Sequence, residues 1–358
     1  MHYIIFNKMK KLLLLLAIVL YLKTNAQTWI QKTDFAGGIR SYGIAFSIGT
    51  KGYVGLGVQN STGQSDLWEY DLTTDTWTQK ASFPAGGRHR AIAFFIGNKG
   101  YVGLGQQNGI DYNDLWEYDP SADSWTQKAN FPGTARVEAM GFSIGNKGYV
   151  GTGVDSTQTF HNDFYEYDPS ADTWTQKANV PGSIRIEAVG FSIGNKGYVG
   201  TGDYTTAFSD FWQYNPATNT WAQKSHFGGG GIFNAAAFCI GNKGYIGTGD
   251  KNSFSRTNIF YQYDSILNTW NQKPNVGGPN RTGAVGFSIG NKGYISTGYD
   301  SAMIWSQDLW EYCDTCPSLT SIHKNISQTF SVNIYPNPAQ TNFIVETNAT
   351  EKQTLQVF

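Results

Sequence analysis

Charged side chains are scarce in this chain. Asp, Glu, Lys and Arg make up 15% of its 358 residues and nearly cancel, leaving a formal net charge of -1. Ordinary globular proteins carry about 25% charged residues. So even a balance lacks the basic excess of a nucleic-acid binder. Disorder is excluded too, because it goes with few aromatics and high net charge, and here 15% of residues are aromatic. Only three cysteines are present, Cys239, Cys313 and Cys316, an odd number and too few for a disulfide framework. Beyond the N-terminal segment the histidines are His89, His161, His226 and His323, and their spacing matches no metal motif. No second apolar run approaches the roughly 20 residues that span a bilayer. Nucleophile elbows and phosphate loops are missing as well. What is abundant is glycine, 42 residues, which with the aromatics describes a soluble, turn-rich β protein. The length suits two average domains or one large all-β domain.

At the N-terminus, Lys8, Lys10 and Lys11 precede an apolar run from Leu12 to Leu22, followed by Thr24-Asn25-Ala26. A basic region, a short apolar core and small residues describe a secretory signal peptide over residues 1–26. The expected mature chain is exported to the periplasm, cell surface or medium, with no transmembrane segment. Cys313-Asp-Thr-Cys316 is compatible with a metal site, a redox pair or a local disulfide. An oxidising compartment favours the disulfide. No cofactor or metal is expected, and Cys239 is expected to be a buried, inert thiol.

An internal repeat dominates the sequence. Gly-Tyr recurs at Tyr53, Tyr101, Tyr149, Tyr198, Tyr245 and Tyr294, and tryptophan recurs in step at Trp29, Trp77, Trp125, Trp174, Trp221 and Trp270. Each unit reads as four strands. In the third, Ala139 to Ile144 is an apolar strand, Gly145-Asn146-Lys147-Gly148 turns, and Tyr149 to Gly153 returns. Asp163 to Tyr167 alternates as a third strand. Asp168 to Asp172 is a turn and Thr173 to Lys177 is the fourth strand.

Such a sheet cannot bury both faces alone, whereas radial stacking covers them: the β-propeller solution. The repeated Tyr and Trp supply the packing between blades. Units start near Arg40, Arg88, Arg136, Arg185, Ile232 and Arg281, and the last ends at Glu311-Tyr312-Cys313 without its Trp strand. The spare copy, Thr28-Trp29-Ile30-Gln31-Lys32, lies at the other end of the chain. The expectation is an all-β, six-bladed propeller over residues 27–316, closed by the N-terminal strand.

The unit resembles the kelch repeat, on Tyr149, Gly153, Tyr167, Asp168 and Trp174 and their counterparts over residues 28 to 312. It departs at the first residue of the family's glycine doublet, which is Leu56, Leu104, Thr152, Thr201, Thr248 or Thr297 here. After a Ser/Thr/Asn-rich linker at 317–329, residues 330–358 contain Tyr335-Pro336-Asn337-Pro338 and then Asn342-Phe343-Ile344-Val345. That stretch resembles the start of a type IX secretion C-terminal sorting domain, a small β-sandwich whose later strands are missing here. The resemblance implies an incomplete sandwich and contact with secretion machinery.

In a propeller the tight turns share one face, and the loops joining strands two and three share the other. The tight turns are nearly identical, whereas Val58 to Ser65, Gln106 to Asn113, Val154 to Asn162, Asp203 to Ser209, Asp250 to Asn258 and Tyr299 to Gln307 differ in length and content. The second face therefore suits recognition of a glycan or a protein. Arg40, Arg88, Arg136, Arg185 and Arg281 begin the strands on that face, and two residues on stand Tyr42, Arg90, Glu138, Glu187, Asn234 and Gly283. Strand alternation puts both series on one side, rimming the channel. The arginines, Arg90 included, form an anion-attracting ligand site or brace neighbouring carbonyls and glutamates. The copper oxidases among kelch-type propellers need clustered His and Tyr with a cross-linked Cys, which this chain lacks. Periplasmic sialic-acid epimerases, another six-bladed kelch-like group, imply the rival reading: a sugar-acid isomerase with Glu138 or Glu187 moving the proton.

Overall fold

A computed structural model describes residues 28–314, and these form six four-stranded antiparallel sheets. The third blade runs Met140–Ile144, Lys147–Gly151, Phe164–Asp168 and Thr173–Lys177, each strand paired with the next. First strands of neighbouring blades pack around the axis and fourth strands lie outermost. The last blade takes Val285–Ile289, Lys292–Ser296 and Leu309–Cys313 from the end of the ring and Thr28–Lys32 from its start. Trp29 sits opposite Tyr312, donates Nε1–H to the Pro274 carbonyl at 3.0 Å and packs 4.8 Å from the Phe260 ring. The ring thus closes through the N-terminal strand, as the repeat count requires. The stretches expected to be a signal peptide, a linker and a sorting segment, together with Cys316, lie outside the described residues, while Cys313 is buried.

The repeat signature is interblade packing. Phe94 stacks on Tyr101 in its own blade and presses its far edge onto Gly148 of the next. A Cβ on Gly148 would sit 2.4 Å from that ring, so only glycine fits. Trp174 donates Nε1–H to the Ala129 carbonyl of the preceding blade's connection, and Asp172 accepts both the Tyr167 hydroxyl and the Ala129 N–H. Burial pushes the Asp172 carboxyl up, but these hydrogen bonds outweigh it and hold the group below its ordinary value.

Two local expectations change. The first hairpin turns on Gly145-Asn146 alone, because Lys147 already pairs with Ile144, and only Gly145 takes positive φ, 58°. The departure from the glycine doublet also gains a backbone reason. Thr152 has φ 62°, so a side chain is carried in the left-handed region, whereas Gly153 at φ 96° lies against the Val137 carbonyl, where a Cβ would approach to 2.6 Å. The first position tolerates a side chain at the cost of strain; the second does not.

Candidate functional site

The strand starts carry two rings of side chains. Arg40, Arg88, Arg136, Arg185 and Arg281 are at most 1% exposed, packed inside the blades beneath the rim. Each forks onto an aspartate at the start of its own third strand: Asp66, Asp114, Asp163, Asp210 and Asp308. For Arg88 the two bonds are 2.5 and 3.1 Å, a bidentate charge-assisted pair. Its Nη1 also reaches the Leu104 carbonyl, and the guanidinium lies 4.2 Å from the Tyr112 ring centroid and 4.8 Å from that of Phe83. Asp210 is held below its ordinary value, since burial raises it but the Arg185 bonds and charge prevail.

Blade five lacks the pair altogether. Ile232 stands in the arginine position and Ile259 in that of the aspartate, and both pack into one apolar cluster. Charge has been exchanged for apolar contact on both sides at once, which preserves buried complementarity. The arginine series braces its own blades and does not line the channel mouth. Its bonds go to aspartates and carbonyls rather than to Glu138 or Glu187.

The mouth is made by the second ring. Tyr42, Arg90, Glu138, Glu187, Asn234 and Gly283 all take positive φ, between 52° and 62°. This is where strand alternation fails: one left-handed residue turns its side chain away from the face its neighbours predict. The reason is visible in the backbone. Each N–H donates to the corresponding carbonyl one blade back, Arg90 to Tyr42, Glu138 to Arg90, Glu187 to Glu138, Asn234 to Glu187, Gly283 to Asn234 and Tyr42 to Gly283. Six hydrogen bonds of 2.9 to 3.4 Å close a ring around the channel and hold five non-glycine residues in strained conformations.

These six residues line a concave cavity of about 140 Å³. Arg90 Nε lies 3.0 Å from Glu138 Oε1, and its guanidinium covers the Tyr42 ring at 4.7 Å. Tyr42 and Tyr299 join through their hydroxyls at 2.9 Å. Burial pushes Glu138 up; Arg90 and a hydrogen bond from Glu187 oppose it. Glu187 is pushed well above its ordinary value by burial and by the Glu138 charge, with Asn234 and Arg90 only partly offsetting. Burial thus raises both carboxyls, Glu187 the more strongly because the Glu138 charge adds to it. Two carboxyls that both hold a proton more tightly than usual stand side by side at the mouth.

Sequence reasoning missed the layer just outside. Asp203, Asp250 and Tyr299 follow the glycine doublets and bridge to the strand starts at Ile186, Phe233 and Thr282. Burial raises Asp203, helped by Glu138 and Asp250; burial also raises Asp250. Burial and the Arg90 charge lower His89. The signal was the loop position straight after each doublet, which varies from blade to blade. Among the described residues, no group of His, Cys, Asp and Glu is arranged to hold a metal ion. Cys239 is half-buried, its thiol raised to about 11 by burial.

No family model matches the chain, and no curated protein matches it. Among solved structures, one titled "Structure of YjhT" is similar with a TM-score of 0.67, at 17% identity, over 78% of this chain and 95% of that one. Identity that low speaks for architecture alone. In fold, the chain is a six-bladed β-propeller similar to that structure.

Proposed function

We propose that this is an exported, kelch-like binding protein that recognises carbohydrate through its variable face, seating a sugar ring at the channel mouth. The observation that carries the reading is the mouth itself. Arg90 and Asn234 offer donors, Glu138 offers acceptors, the Glu187 carboxyl does both, and Tyr42 supplies a ring, all around one cavity. Adjacent hydroxyls on a sugar need this alternation. Around the cavity, Ile110, Tyr204, Phe254, Met303 and Ile304 remain exposed on the variable loops and offer apolar platforms. Charge argues for a neutral sugar over an acid one. The five buried arginines are neutralised by their aspartates, and Glu138 already occupies Arg90.

Export rests on the Lys8 to Ala26 pattern, and delivery by secretion machinery on the Tyr335-Pro336-Asn337-Pro338 segment. One observation favours a second reading, a sugar epimerase or mutarotase: Glu138 and Glu187, adjacent at the mouth and both raised by burial, could supply acid and base to an anomeric or adjacent carbon. Calorimetric titration with neutral hexoses, hexosamines and sialic-type acids separates the two. Binding of a neutral saccharide, weakened about tenfold or more by Arg90→Ala, supports the first. Accelerated anomer exchange by NMR, abolished in Glu187→Gln and Glu138→Gln, supports the second. Protein capture with no saccharide binding would overturn both.

A further inference from the structure

The channel has another end. Beneath the polar mouth it passes two rings of glycine and alanine, one residue per blade in each, and opens on the tight-turn face into a wider cavity of about 380 Å³. The outermost ring there is Ser47, Phe95, Ser143, Ser192, Cys239 and Ser288, with the edges of the six first-strand phenylalanines between them.

Three features of this end point to a ligand. No charged residue lines the cavity. Five of the six turn lysines are paired with carboxylates, Lys51 with Asp71, Lys99 with Asp119, Lys147 with Asp168, Lys243 with Asp264 and Lys292 with Glu311, and the sixth, Lys196, donates to the Asn215 amide oxygen. An ion would therefore be desolvated without compensation. Phe95 replaces the serine found in four other blades and is left 43% exposed, a large ring held in water at the cavity wall. In the blade beside it, Ser47 Oγ is buried with no hydrogen-bond partner. A buried hydroxyl left unpaired is unfavourable until something pairs it. The volume falls within the roughly 300–1,000 Å³ of small-molecule pockets, which combine apolar walls with a few convergent polar groups.

We propose that the tight-turn mouth is a second binding site, for a small uncharged aromatic compound carrying a hydroxyl or carbonyl group. The ring packs against Phe95 and the polar group pairs with Ser47. The site is chemically independent of the sugar-binding reading, since it shares no lining residue with the polar mouth.

The thiol of Cys239 lies in the same ring and reports occupancy. The test incubates the full chain with 1-naphthol or with its charged counterpart 1-naphthalenesulfonate, then alkylates with iodoacetamide at alkaline pH. Modification of the Cys239 peptide is followed by mass spectrometry, and affinity by fluorescence titration. Expected are saturable naphthol binding, slowed alkylation of Cys239 and at least tenfold weaker binding of the sulfonate. Phe95→Ser installs the residue that four blades already hold, so the ring should still form. It should weaken naphthol by a factor of about 2–10, the usual contribution of an aromatic pair. Ser47→Ala should weaken it as well. No saturation, an unprotected Cys239, equal binding of the sulfonate, or unchanged affinity in both variants would each overturn the proposal.

Discussion

Arg136 and Glu138 are separated by a single residue, yet the first is sealed inside its blade and the second faces the channel. The same contrast recurs around the ring. The arginine layer is repetitive, each charge matched by an aspartate, and dispensable as a unit, since blade five replaces both partners with isoleucine. The layer two residues on repeats only its glutamate, at Glu138 and Glu187, is strained in its backbone and carries two carboxyls raised by burial. Sixfold architecture is thus maintained by one layer and individuality expressed in the next. The ring of backbone hydrogen bonds separates them, because it fixes the backbone and leaves the side chains free to vary.

Four changes would break or sharpen that contrast. The largest effect belongs to Asp163→Ala, which strands Arg136 as a buried, unpaired charge. It should lower unfolding free energy by about 3–5 kcal/mol in denaturant titrations, with saccharide binding retained by the molecules still folded. Next is Glu187→Gln. The Glu187 carboxyl is raised above its ordinary value of 4.5, chiefly by burial, so between those two values the folded state binds more protons than the unfolded chain. Stability should therefore fall as pH climbs through that window and level off above it. The variant should show a flatter profile of melting temperature against pH; an equally steep decline would place the proton elsewhere. Tyr42→Phe removes the hydroxyl bridge to Tyr299, and a cost of about 1 kcal/mol or less is expected, measured by thermal unfolding. The smallest effect is expected from Arg136→Ile with Asp163→Ile, copying blade five. It should stay within about 1 kcal/mol of the parent. A loss as large as that of Asp163→Ala would mean that the buried pairs do more than brace.

The blades, their number and the closing strand were legible because they rest on long-range periodicity in large side chains. Tyr149 and Trp174 must recur wherever a neighbouring blade has to be packed, so spacing alone reveals the ring. The site was half legible. Glu138, Glu187 and Arg90 emerged as one positional series, but the arginines two residues earlier were grouped with them, since alternation assumes extended backbone throughout. Positive φ at Arg90 or Glu138 leaves no compositional trace, unlike a glycine. The aspartate partners lie 25 to 27 residues away from their arginines, and the clue to them was their joint loss, Ile232 together with Ile259. Asp203 and Tyr299 were hidden for another reason: their position straight after each doublet is fixed, but the residue that fills it changes among the blades.

The borrowed strand has a topological consequence. Thr28 lies directly opposite Cys313 on the tight-turn face, so the two ends of the ring are neighbours. Blade order is therefore an arbitrary cut in a closed circle. A circular permutant that joins these two positions through a short linker and opens instead at a variable loop, such as Asn60-Ser61, should assemble the same six blades. Its seam would be covalent where this chain relies on five paired residues.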